Sequence, residues 1–223
     1  MSATAHAAPR LAALARRREQ PRAPDPERCE LCGEPLSAEH RHLLDTASGE
    51  LMCACRACSL LFEDGSAGGG RYLLVGDRRL RIEDFRLDEP AWAALQIPVE
   101  MAFFFHSSAA GRVLAFYPGP MGATESLLEL RGWATLVAEN PVLEQMQPDT
   151  EALLINRAHG ASEHWLLPVT DCYALAGVIR TRWRGLTGGR EVWSEIERFF
   201  GGLAARGTMV RRDGSTHTIT EAR

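Results

Sequence analysis

The spacing of apolar and polar positions changes several times along the chain, and each change predicts an element. Residues 71–75 and 78–85 alternate as strands do, with Gly76-Asp77 as a tight turn between them. Residues 88–95 suit a short helix. The apolar run at 99–106 (VEMAFFFH) predicts a strand, 107–111 its turn, and 112–117 (RVLAFY) its partner, stopped by Pro118-Gly119-Pro120. Residues 125–139 place Leu127, Leu128, Leu130, Trp133, Leu136 and Val137 at helical spacing. Residues 152–155 and 164–169 predict a third strand pair. Asp171 then caps a helix running to about residue 184. Gly188-Gly189 interrupts the pattern, and 192–205 form a last amphipathic helix with Trp193, Ile196, Phe199, Phe200 and Leu203 in phase. After Gly207 the chain is polar, with edge-strand character at 216–219.

Short turns between neighbouring strands impose antiparallel pairing. The predicted body at 71–206 is therefore α+β, a mainly antiparallel sheet with helices packed on one face, followed by a loose tail at 207–223. Ahead of it, residues 1–26 are rich in Ala, Arg and Pro and read as a disordered arm. In 27–63, HRHLLD (40–45) and ELMCA (50–54) flank Thr46-Ala47-Ser48-Gly49, a hairpin signature. Gly65 and Gly68 to Gly70 read as a hinge over 64–70.

Composition narrows the function classes. The chain is 223 residues long, 45% apolar and 24% charged, with a formal net charge of −4. That balance argues against a nucleic-acid surface, which is normally basic. All 25 basic residues are arginine, so no lysine is present to form a Schiff base or serve a phosphate loop. Residues 1–28 show no continuous apolar segment of a secretion signal, and no stretch approaches a membrane span. The expected location is the reducing cytoplasm.

Cysteine spacing carries the strongest chemistry. Cys29-x-x-Cys32 and Cys55-x-x-Cys58 are two knuckles separated by a short hairpin. Two cysteines three apart on a tight turn aim both sulfurs at one point, and two such pairs predict a four-thiolate metal site. Gly33 follows the first knuckle, where positive φ lets backbone N–H groups face the sulfurs. The arrangement resembles a zinc ribbon, a small module held by structural zinc. It also resembles rubredoxin, which holds iron, but the second knuckle (CRACS) lacks the proline and glycine typical of that family. Zinc is the expected metal and iron the alternative. The outline is similar to HNH-type nucleases too, with Glu39-His40 a loose match, but 59–62 run into glycines where a finger helix belongs.

Cys53 shares a strand face with Leu51 and Cys55 and reads as a core thiol, a substitute ligand or a redox partner of the site. His40 and His42 share a face and read as hairpin-surface residues more readily than as ligands. In the body, His106-Ser107-Ser108 ends an apolar strand and is a candidate ligand or acid–base site, or simply a turn. Residues 117–126 link a strand to the predicted 125–139 helix, and Thr124 reads as its cap. Asn156, Arg157, His159 and His164 flank one turn. Cys172 reads as structural, and Trp92, Trp133, Trp165, Trp183 and Trp193 as core.

The stretches RCELCG (28–33), MAFFFHSS (101–108), FYP (116–118), MGATESL (121–127) and WRGLTG (183–188) resemble an uncharacterised bacterial family, a domain of unknown function. It is commonly encoded beside actinobacterial-type [NiFe]-hydrogenase genes. The resemblance spans Cys29 to about Phe200 and brings no established catalytic residue. It implies an auxiliary role in hydrogenase assembly, maturation or electron handling, with a hydrogenase subunit or maturation factor as protein partner. The expected function is a non-catalytic accessory protein with a structural metal site. A rubredoxin-like electron carrier and an enzyme with a site near His106 are the alternatives.

Overall fold

The computed structural model describes residues 26–64, 67–127 and 131–216. Residues 1–25 of the predicted 1–26 arm, Gly65 of the predicted hinge, Leu128 and Leu130, and the tail from 217 on, with most of its predicted edge strand, lie outside these residues. Among the described residues the strands form two sheets. The smaller has order β2-β1-β3, built from β1 (Arg41–Asp45), β2 (Glu50–Ala54) and β3 (Tyr72–Leu74), all antiparallel. The larger has order β10-β4-β9-β8-β5-β6-β7. Its strands are β4 (Leu80–Ile82), β5 (Met101–Ser107), β6 (Arg112–Gly119), β7 (Gly122–Ser126), β8 (Glu151–Asn156), β9 (Glu163–Pro168) and β10 (Thr208–Val210). Every pairing in it is antiparallel except β10 on β4.

Helices cover both faces of the large sheet, not the one face predicted. On one side, α2 (Glu89–Ala94) and α3 (Trp133–Glu139) bring Trp92 and Leu136 against Ala102, Phe104, Leu153 and Ile155. On the other, α4 (Val169–Arg182) and α5 (Gly189–Arg206) bring Leu175, Ile179, Ile196 and Phe200 against Phe103, Leu154, Trp165 and Leu167. The physical reason is in the strands. All six residues of β8 are buried, and a strand apolar on both sides must be covered on both sides. The buried positions of α5, Val192, Ile196, Phe200 and Leu203, recur at helical spacing and form one stripe. Asp88 starts α2, its side chain accepting from the Ala91 N–H at 2.8 Å.

Three further expectations are corrected. Residues 71–75 and 78–85 do not pair with each other. Tyr72–Leu74 joins β1, and Leu80–Ile82 joins β9 in the other sheet. The glycines before β3 therefore lie within the small sheet's own connections. Gly68 to Gly70 all have positive φ, and Gly68 sits against Tyr72 and Phe62, where a side chain would crowd the rings. Second, Gly122–Ser126 is a strand paired with β6, so the predicted helix starts only at Trp133. Third, the tail is not loose throughout. Thr208–Val210 forms an edge strand, Val210 bridges Thr216, and the Arg212 N–H donates to Asp84 at 2.6 Å.

The two sheets are held by local ion pairs. Arg71 clamps Asp45 with both its Nε and a terminal nitrogen, the shorter contact 2.7 Å, fixing the entry to β3. Arg78 holds the buried Glu151 at 2.6 and 2.9 Å, fixing the entry to β4 against β8.

Candidate metal centre

Residues 28–35 fold back on themselves through a bridge between Arg28 and Pro35. The Gly33 N–H donates to the Cys29 carbonyl at 2.8 Å, and Gly33 takes φ 78°, as a knuckle requires. The β1–β2 hairpin carries the chain to Cys55, which caps α1 (Arg56–Leu60). Its sulfur accepts from the Cys58 N–H at 3.4 Å. The hairpin lays the second knuckle on the first: the Glu30 N–H donates to the Cys53 carbonyl at 2.9 Å.

The four predicted sulfurs of Cys29, Cys32, Cys55 and Cys58 consequently lie within 4.8 Å of one another. The Cys32 and Cys55 sulfurs are 3.7 Å apart. Sulfurs about 2.3 Å from a central ion at tetrahedral corners stand about 3.8 Å from each other, so the cluster can hold one metal ion. The thiol electrostatics agree. Burial pushes the Cys29 thiol up, but backbone hydrogen bonds from Cys55, Cys32 and Leu31 outweigh it and bring it down to about 6. Burial and the three neighbouring sulfurs push Cys58 up to about 12. Crowding by the neighbouring sulfurs thus opposes ionisation of Cys58, and a central cation would remove that opposition.

Beside this cluster the hairpin gathers His40, His42 and Cys53, of which the sequence offers only Cys53 as a substitute ligand. His42 stands directly across from Cys53, and the His40 and His42 rings lie 4.7 Å apart. One donor atom from each of His40, His42 and Cys53 falls within 4.8 Å of the others. Burial, then the neighbouring His40, lowers the pKa of His42 below its ordinary value.

The other candidates disperse. Ser107 and Ser108 line a cleft of about 480 Å³ between the sheets, with Leu44, Leu51, Phe105, Phe116 and Tyr173. His106 is not among its lining residues, because alternation along β5 turns it to the opposite face from Phe105 and Ser107. Its Nδ1 is buried without a hydrogen-bond partner among the described residues. The 117–126 segment presents no helix start, since Thr124 pairs with Tyr117 in β7. The group around 156–164 separates. The Asn156 side chain accepts from the Ala158 N–H at 3.0 Å. Arg157 lies over Trp92 and pairs with Glu89. His159 packs on Trp193 and His164 stacks on Phe85. Cys172 is fully buried, and burial raises its thiol pKa well above the ordinary value.

His164 yields a pH prediction. Burial, then Arg157 and Arg81, lowers its pKa from 6.5 to about 4. Between those values the unfolded chain binds more protons than the folded one, so stability falls as pH falls through that window. The full loss is about 3 kcal/mol, at about 1.4 kcal/mol per pH unit. His164→Phe, which keeps the stack on Phe85, is expected to lack this pH dependence. Urea unfolding at pH 7.5 and pH 4.5 should show wild type losing about 2 kcal/mol more than the variant; equal losses would refute it.

No helix among the described residues is long and apolar enough to cross a membrane. Comparison with curated proteins and with solved structures gave no match. A family model matches residues 28–207, from the residue before the first knuckle to the glycine that ends α5. The chain therefore belongs to the Family of unknown function (DUF5947).

Proposed function

We propose that this chain is a non-catalytic accessory protein whose Cys29, Cys32, Cys55 and Cys58 hold a structural zinc ion and whose small sheet docks on a protein partner. The observation that carries this reading is the four-sulfur cluster. Four thiolates complete a tetrahedron and leave no position for a substrate, as in structural zinc sites. The knuckles also carry exposed apolar side chains. Leu31 lies between the first pair of cysteines, and Leu60 and Leu61 follow the second, at 51% and 63% exposure. Apolar side chains held out on a metal-stapled turn are suited to contact with another protein.

The family resemblance supports a [NiFe]-hydrogenase subunit or maturation factor as the partner. A thiolate-bound metal is retained in a reducing compartment, so the cytoplasm is the proposed location. The test is deletion of the gene in its native cell. Hydrogenase processing and activity should fall, and be restored by the wild-type chain but not by Leu60→Ser/Leu61→Ser, which leaves the cysteines in place. Normal processing after deletion would refute the partner assignment. Elemental analysis of protein purified without added metal should find zinc. A red protein containing iron would favour the electron-carrier reading instead.

A further inference from the structure

We propose that His40, His42 and Cys53 form a second, open metal site for a cation of the zinc class, beside the four-cysteine cluster and sharing no ligand with it. The donors are two imidazoles and one sulfur, a set suited to borderline-soft transition ions. Hairpin register, not chance proximity, brings them together. His42 and Cys53 are directly opposed across β1 and β2, and His40 lies two residues before His42 on the same face.

The state of His40 points to a ligand. Its Nδ1 lies 3.1 Å from the Ser37 carbonyl. A carbonyl oxygen only accepts, so Nδ1 carries the proton and donates it there. Nε2 is then the free lone pair. It is buried and has no hydrogen-bond partner among the described residues, and the His40 side chain is only 10% exposed. An imidazole whose outer N–H is fixed by a backbone carbonyl, leaving the other nitrogen bare, is the usual posture of a metal-bound histidine. Cys53 is fixed as well. Its N–H donates to the Glu30 side chain, and its carbonyl accepts from the Glu30 N–H. Glu30 lies inside the first knuckle, so the four-sulfur cluster braces the third donor of the second site.

Three protein donors leave a tetrahedral ion one exchangeable position. All three residues line a cleft of about 660 Å³ between the hairpin and α4, whose far wall includes Arg79, Asp171 and Tyr173. Asp171 is engaged by Arg79 at 2.6 and 3.0 Å. Water or a small donor ligand entering from the cleft completes the coordination.

The test is metal stoichiometry on the full chain. Apoprotein is reconstituted with Zn²⁺ alone, freed of excess by gel filtration, and assayed for zinc. Wild type should retain two equivalents and Cys53→Ala one. Cobalt(II) reconstitution of the variant should keep the absorption of a four-thiolate site, showing that the first cluster and the module's fold survive. His40→Asn/His42→Asn, which touches no cysteine, should also retain one. One equivalent in wild type overturns the proposal, as does retention of two equivalents by the histidine variant. Neither result bears on the docking function, which needs only the first ion.

Discussion

Serine at Cys29 is expected to unfold the three-stranded sheet while the seven-stranded sheet stays folded. Among the described residues the small sheet has only a small core of its own. Its own buried cluster is Leu43, Ala54 and Phe62, too few side chains to offset the entropy of ordering the segment. The apparent binding free energy of a structural zinc ion is about 10–16 kcal/mol, so a zinc ion held by the four sulfurs would stabilise this module more than its packing does. Cys29 is 2% exposed, so the substituted hydroxyl is also buried and is a far weaker zinc donor than a thiolate. Hydrogen exchange read by mass spectrometry should show loss of protection in β1, β2 and β3 with β8 unchanged. Chelation of the wild type should give the same pattern. Protection retained in β1 after either treatment would show that the sulfurs are not the staple.

Trp165→Ala is expected to cost about 3–5 kcal/mol, the range for deleting a buried aromatic. The ring is 1% exposed, in a strand flanked on both sides by β4 and β8. Its Nε1 donates to Glu163 at 2.8 Å. The predicted loss corresponds to a fall in Tm of about 10 °C, at about 2–4 °C per kcal/mol for a chain of this size. The same ring explains the glycine that ends α5. A Cβ on Gly207 would lie 2.6 Å from Trp165 Cζ3 and 3.0 Å from the Leu203 carbonyl. Gly207→Ala should therefore destabilise the wild type. It should cost much less in the Trp165→Ala background, where the nearest contact is gone. Thermal melts of the four proteins complete the cycle, and additive losses would argue against a shared contact.

Much of the fold was legible where pairing is local. The β1–β2 hairpin, the β5–β6 and β8–β9 pairs and the stripe of α5 all follow from alternation, turn residues and helical spacing. What escaped depends on partners distant in sequence. Gly76-Asp77 has the chemistry of a hairpin turn, yet Leu73 pairs with Leu44 and Leu80 with Leu166; local alternation carries no record of either choice. The segment around Leu127 has helical periodicity that begins inside β7, and the turn made by Gly122 at φ 101° outweighed it. Helices on both faces were legible in principle, because MAFFF and ALLI leave no polar side.

The four-sulfur cluster was read from spacing alone. The second cluster could have been. Once Thr46 to Gly49 form the turn, register alone sets His42 opposite Cys53. The signal lies in that register, because alternation within one strand does not show which residues face each other across the pair. The orphaned nitrogen of His40 was not legible, since it depends on how the loop bearing Ser37 folds over the ring.

The placement of β10 has a consequence for the order in which the protein is made. The small sheet has all its strands once Leu74 has been synthesised. The large sheet is completed beside β4 by Thr208–Val210, and one contact at this edge joins Asp84 to Arg212, 128 positions later. A ribosome adding about 5–20 residues per second leaves an interval on the order of ten seconds between the two. During it the cysteine knuckles are complete while the body that will flank them is not. The nascent chain thus presents both cysteine pairs before it has a finished tertiary structure, and an ion held by them would be captured early in its biogenesis.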